Sequence, residues 1–169
     1  MSELSKTCAA SKVVHSSLIL PGETNRHNTL FGGNLMSHID RTASIAFVRH
    51  TAATGVTASM DSLNFIKPLP QDHVVSIEAM VSGVGSRSVE VFVKVTGEDL
   101  MAGEHYLAAT AFLTFVVLPD KHGQVAQIPT IIPETAEEQY ICQGYTKRRQ
   151  ERLAKRDEDQ ALLRLLDPA

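Results

Sequence analysis

The sequence predicts an α+β fold in which one long helix lies across the concave face of an antiparallel sheet. Three observations carry this reading. Over residues 34–50, Leu35, Met36, Ile39, Ala43, Ala46 and Phe47 recur at helical spacing and mark one buried stripe. After Gly55 the chain reads only as strands, punctuated by turn residues. The order of elements, a strand, then the helix, then four strands joined as hairpins, leaves a single plausible layer arrangement.

The first strand is expected over 13–20, ended by Pro21 and Gly22. The helix follows, opened by the pair Gly32 and Gly33. Strands are then expected over 56–66, up to Lys67 and Pro68, and over 74–84, 88–96 and 105–118. In the strand from Ser88, Val89, Val91, Val93 and Val95 alternate with Glu90, Phe92 and Lys94, the period of a sheet with one covered face. Phe92 breaks the polar side of that alternation. The strand from Tyr106 is nearly all apolar, which implies burial on both faces, as a subunit contact would provide. Beyond Pro133 the composition changes. Residues 134–143 and 145–166 read as helices in which Lys147, Arg148, Arg149, Arg152, Lys155, Arg156 and Arg164 outnumber Glu151, Asp157, Glu158 and Asp159. That extension is either a binding face for phosphates or an acidic partner, or a solvated helix with Glu151 and Lys155 paired.

Chemistry concentrates in the long helix. Asp40 lies on the edge of the apolar stripe, so its carboxylate must be hydrogen bonded or paired to offset desolvation, and a partly dehydrated carboxyl suits general-base work. Gly32 and Gly33 let the backbone approach a ligand. The unsatisfied N–H groups of a first helical turn, with the helix dipole, suit an anion or a polarised carbonyl. Base and oxyanion donors then lie about two turns apart, roughly 10 Å between Cα positions.

The chain resembles the cytosolic hotdog-fold acyl-CoA thioesterases, the bacterial single-domain relatives of brain acyl-CoA hydrolase. The motifs are Thr-Asn at 24–25, Thr-Leu-Phe-Gly-Gly at 29–33, Met-Ser-His-Ile-Asp at 36–40, Val-Thr-Ala-Ser-Met-Asp-Ser-Leu-Asn-Phe-Ile-Lys-Pro at 56–68, Gly-Glu-His-Tyr at 103–106 and Phe-Leu-Thr-Phe-Val at 112–116. The resemblance implies a hotdog domain over 13–130, with a flexible N-terminus over 1–12 and a charged helical C-terminal extension over 131–169. It implies hydrolysis of acyl-CoA to free acid and CoA, without metal or redox cofactor. It places the general base on Asp40 and a catalytic Asn on Asn25, the two meeting across a homodimer interface. It assigns oxyanion binding to backbone near Gly33 and Asn34. Relatives often assemble further into a trimer of dimers. Water activated by Asp40 and direct attack by its carboxylate to form an anhydride are both open routes.

Two positions depart from the family pattern. Asn28 stands where relatives usually carry Gly, and Asn tolerates the left-handed backbone of such a turn. Gly-Ser-Arg-Ser at 85–88 stands where relatives read Gly-Arg-Ser-Ser, with the Arg implicated at the nucleotide end of CoA. A shift of one residue turns a side chain to the other face of a strand. Ser86, Arg87 and Ser88 are therefore CoA-binding candidates only if a bulge precedes them; otherwise Arg87 is an exposed Arg at a turn. Lys67 is a second candidate for CoA phosphate or a solvated Lys at a strand end. Thr57, on one strand face with Asp61 by even spacing, either lines the thioester pocket or makes a structural hydrogen bond.

Composition agrees with a globular enzyme. The chain has 169 residues, 43% hydrophobic and 21% charged, values of one domain with a sizeable core. A net charge of −3 gives no reason to expect nucleic acid. No apolar signal core opens the chain, and no run of about 18 apolar residues suggests a membrane span. Cys8 and Cys142 lie far apart without metal-ligand or CxxC spacing and read as reduced thiols of a cytoplasmic protein. The seven His residues are scattered, with no pair at helical ligand spacing. Two alternatives stand beside the thioesterase. A hydroxyacyl-thioester dehydratase needs a catalytic His against the helix acid, which Asp40 lacks. A non-enzymatic acyl-CoA sensor needs a DNA-binding helix-turn-helix, for which no segment reads clearly.

Overall fold

The computed structural model describes residues 4–167. The chain runs β1 (Ser5–Thr7), α1 (Cys8–Ser11), β2 (Val13–Leu18), a 3-10 turn (Pro21–Glu23), α2 (Gly32–Thr51), β3 (Gly55–Phe65), β4 (Val74–Val84), β5 (Ser88–Asp99), β6 (Glu104–Val117), β7 (Thr130–Ile132), α3 (Ala136–Gln143) and α4 (Tyr145–Leu166). Five strands form one antiparallel sheet in the order β2-β4-β5-β6-β3, and α2 lies across it. The strands after α2 do not all form hairpins. β3 pairs with β6 at one edge, and the chain crosses from there to β4, because the segment 66–73 holds two prolines and cannot make a tight two-residue turn.

The stripe on α2 buries Leu35, Ile39, Ala43, Ala46 and Phe47 against Val75, Ile77, Val89, Val91, Val93, Leu113 and Phe115. Phe47 and Phe115 stack with ring centroids 5.1 Å apart. Met36 falls outside the stripe and is 42% exposed.

The opposite face of the sheet is covered too, which the alternation in β5 did not convey. Met80, Phe92 and Phe112 pack there with Cys8 of α1 and Ile141 and Cys142 of α3. Tyr145, the first residue of α4, lies on Gly83, where a Cβ would meet its ring at 2.1 Å. Glu90 is fully buried on this face. Its carboxylate accepts from Arg148 Nη2 at 2.8 Å, Arg152 Nη1 at 2.6 Å and Ser82 Oγ at 2.8 Å. Arg148 also stacks over Phe112, 4.1 Å from the ring centroid. The basic residues of α4 thus divide. Arg148 and Arg152 hold the helix to the sheet, while Lys147, 83% exposed at its side chain, makes only a loose pair with Glu151 at 3.9 Å in place of the Glu151–Lys155 pairing.

Removing one partner of a buried ion cluster strands the others without compensation, so Glu90→Ala should destabilise by about 3–5 kcal/mol. Thermal unfolding should show a Tm lower by roughly 10 °C. Lys147→Ala should leave it unchanged.

Over the described residues 4–12, the expectation of a flexible N-terminus is corrected. β1 pairs in parallel with β7, Lys6 Nζ donates to the carbonyls of Arg49 and His50 at the end of α2, and Cys8 and Ser11 are buried. Ser11 Oγ accepts from Val81 N at 2.9 Å, beside the register shift between Val81 and Gly83. Too short to show periodicity, this segment earns its place through contacts distant in sequence.

Candidate active site

Asp40 sits on the third turn of α2, facing the β3 edge of the sheet. The hydroxyl of Thr57 donates to Asp40 Oδ1 at 2.7 Å, which leaves Oδ2 open. Thr57 lies in the regular stretch of β3, just before its first register shift. Thr57 pairs with Phe115, on the α2 side, and the register shift at Ala58 then sets Ser59 opposite Thr114 on the other side, with a second shift at Asp61. Asp61 therefore does not share a face with Thr57 as even spacing suggests. It accepts from Ser59 Oγ at 2.5 Å and Thr114 Oγ1 at 2.6 Å, with Arg152 of α4 3.5 Å away.

Asn25 is fixed by a tight loop. Its Oδ1 accepts from His27 N at 2.8 Å, its Nδ2 donates to Thr29 Oγ1 at 3.0 Å, and its backbone N–H donates to the Thr29 carbonyl at 2.9 Å. Asn28 takes the left-handed conformation the turn requires, with φ of 56°. An amide carries two N–H bonds, so one donor of Asn25 remains for a ligand. Asn25, Thr29, Gly32, Leu35, Phe65, Lys67 and Pro68 line one cleft of about 390 Å³, apolar for most of its wall.

α2 starts at Gly32, so Gly32, Gly33 and Asn34 form its first turn, as the glycine pair led one to expect. Their N–H groups precede the first intrahelical bond, from Leu35 N to the Phe31 carbonyl at 3.1 Å. At Gly33 a Cβ would meet the Phe31 ring at 2.6 Å, so glycine keeps this backbone approachable. Asn34 anchors the turn instead through its side chain, which donates to the Glu23 carbonyl at 3.1 Å.

Asp40 does not line the Asn25 cleft. The first half of α2 carries two separate parts, a carboxylate near the Gly55 end of β3 and a donor-rich cleft near the Phe65 end, about 12 Å apart along the helix. Lys67 lies at the cleft mouth, its Nζ 5.9 Å above the Tyr106 ring. Ser86 and Arg87 are exposed on the β4–β5 hairpin, and Ser88 is partly buried. A bulge in β4 does precede them, between Val81 and Gly83, and the hairpin borders the acid end: Ser88 pairs with Val116, which pairs with Val56 beside Thr57. The residues sequence reasoning missed are the cleft walls Phe65, Ile66 and Leu69, apolar side chains with no chemical signature.

A family model described as Thioesterase superfamily matches residues 27–104. The chain is 50% identical over 159 residues to the uncharacterized acyl-CoA thioester hydrolase YkhA of Bacillus subtilis strain 168, covering 94% of this chain and 92% of that protein. Among solved structures, an acyl-CoA hydrolase from Staphylococcus aureus in complex with butyryl-CoA, CoA and CoA disulfide matches with 37% identity and a TM-score of 0.89, over 95% of this chain and 98% of that one. That hydrolase has also been solved with alanine in place of one Asp, one Thr and one Asn. An apo-hexameric acyl-CoA thioesterase matches with 31% identity and a TM-score of 0.85, over 90% of this chain and 97% of that one.

Proposed function

Since the chain belongs to the hotdog-fold acyl-CoA thioester hydrolases of the Thioesterase superfamily, we propose that its substrate is hydrolysed by water activated at Asp40, in a site that two subunits share. The protein is an enzyme that splits acyl-CoA to a free carboxylic acid and CoA. The 2.7 Å hydrogen bond from Thr57 to Asp40 is the observation that carries the proposed mechanism.

Thr57 orients the carboxylate by one oxygen, and the other accepts a proton from water as that water attacks the thioester carbonyl. First-turn N–H groups of Gly33 and Asn34, reinforced by the helix dipole, receive the negative charge on the carbonyl oxygen. The remaining Asn25 donor holds the carbonyl or the water. Collapse of the tetrahedral intermediate expels the CoA thiolate, which takes the proton back. In the S. aureus hydrolase, the substituted Asn, Asp and Thr stand at the same spacing as Asn25, Asp40 and Thr57, fifteen and then seventeen residues, which supports the assignment.

The partner is a second copy of the chain. Among the described residues β3 has only β6 as a neighbour, and its other edge is 11 residues long. Val56 and Phe65 on this strand and Ile66 just past its end are 49%, 60% and 50% exposed. Pairing two β3 edges antiparallel about a two-fold axis sets the Phe65 end of one copy beside the Thr57 end of the other. The Asn25 cleft of one subunit then faces Asp40 of its partner. A trimer of such dimers is the larger assembly proposed, in keeping with the hexameric relative. Lys67 and the hairpin Ser86–Arg87–Ser88 are offered to the phosphates of CoA, and the cytoplasm is the compartment the family resemblance implies. No helix among the described residues is long and apolar enough to cross a membrane.

The test is release of free thiol from acyl-CoA of graded chain length by the purified protein. Turnover is expected; none at any length overturns the reading. Thr57→Val keeps the shape of the side chain and removes one charge-assisted hydrogen bond, whose loss amounts to about 1.5–3 kcal/mol. The expected kcat is about 10- to 100-fold lower with little change in KM. Unaltered kcat would limit Thr57 to a structural role.

A further inference from the structure

We propose that Cys8 and Cys142 form a thiol–disulfide exchange site that reacts with low-molecular-weight disulfides and closes an internal disulfide between the N-terminal segment and α3. The two residues are 134 positions apart in sequence, yet their sulfurs lie 3.7 Å from each other. Bonded sulfurs sit about 2.05 Å apart, so a closure of roughly 1.7 Å suffices. Both residues are carried on short helices: Cys8 opens α1, a single turn, and Cys142 lies near the end of α3, which has eight residues.

The surroundings give the two thiols different parts. Cys8 is fully buried, whereas Cys142 is partly open to solvent. The Cys8 thiol is pushed well above its usual range by its hydrogen bond to Cys142 and by burial. Accepting that bond holds Cys142 below its usual range, with the Arg148 guanidinium contributing in the same direction. Cys142 is thus the reachable thiolate that attacks first, and Cys8 is the resolving thiol behind it.

The reaction balances in two steps. The Cys142 thiolate attacks one sulfur of an external disulfide, forming a mixed disulfide and expelling one thiolate. Cys8 then gives up its proton and attacks the Cys142 sulfur, displacing the second thiolate. Two protein thiols are oxidised, the external disulfide is reduced to two thiols, and the protons pass to the departing thiolates. Such pairs in cytosolic proteins are redox-responsive more often than structural. The clasp lies with Met80, Phe92 and Ile141 on the sheet face opposite α2, so its closure should change stability and leave turnover unaltered.

The experiment treats the reduced, full-length protein with oxidised glutathione and follows it by intact mass, peptide mapping and thermal unfolding. The expected product has lost two hydrogens, contains a Cys8–Cys142 cross-linked peptide within one chain, carries no glutathione, and melts about 10 °C higher because the closed loop is long. Dithiothreitol should reverse every change. Cys8→Ala should accumulate a stable glutathione adduct on Cys142, and Cys142→Ala should leave Cys8 unmodified. The proposal is overturned if wild-type protein stays fully reduced, keeps glutathione on Cys142, or forms only cross-links between chains. The wild-type readout decides this even if a variant fails to fold.

Discussion

Asp40→Asn should lower kcat by about 10²- to 10⁴-fold while leaving the fold in place, the scale on which loss of general acid–base catalysis is felt. The substitution is close to isosteric. The new amide still presents an oxygen to Thr57, so the 2.7 Å contact and the packing of α2 survive. Only the capacity to take a proton from water, or to attack the carbonyl directly, is removed. Thiol release measured at saturating acyl-CoA gives kcat, and thermal unfolding of the same preparation separates a catalytic loss from a structural one. A folded variant with near wild-type turnover would remove Asp40 from the chemistry. The effect should exceed that of Thr57→Val, since Thr57 acts only through the carboxylate it orients.

Much of the path from sequence to site runs through periodicity, and the places where reading failed are those where periodicity breaks. Leu35, Ile39, Ala43, Ala46 and Phe47 share one helical face and bury as their spacing requires, which fixes Asp40 at the edge of that face. β4 was legible to the residue, Val74–Val84, because strong alternation ends there in a glycine turn. β3 was legible as a strand but not in its facing. One bulge at Ala58 separates Thr57 from Asp61 and a second falls at Asp61 itself, and a bulge inserts a residue without marking its composition. The same limit applies to β5. Its Glu90 reads as a solvent-facing residue until α4 folds back with Arg148 and Arg152, a contact spanning about sixty residues that no local pattern encodes. Cys8 and Cys142 meet for the same reason. Asp40 and Gly33 were legible from helix spacing and Asn25 and Thr57 from resemblance, yet the contact of Thr57 with Asp40 and the placing of Asn25 in a cleft that Asp40 does not line became visible only in three dimensions.

That division supplies the most demanding prediction. If Asn25 of one subunit serves Asp40 of its partner, then mixing inactive Asn25→Ala and Asp40→Asn homodimers should restore activity after subunit exchange. In a mixed dimer one site carries both lesions and the other carries neither. Random pairing of equal amounts makes half of the dimers mixed, so about a quarter of all sites become intact under two-fold symmetry. Thiol release should therefore climb from the residual level of either parent to roughly a quarter of wild type, with exchange followed by a labelled subunit. The β3 edge away from β6 is what makes the geometry possible, because an antiparallel pairing of its 11 residues brings opposite ends of the strand together. An arrangement in which both residues act within one chain predicts no recovery at any mixing ratio, since every site would then keep one of the two lesions. Confirmed exchange without regained activity would thus place catalysis inside the single subunit and send the exposed apolar residues Val56, Phe65 and Ile66 to some other contact.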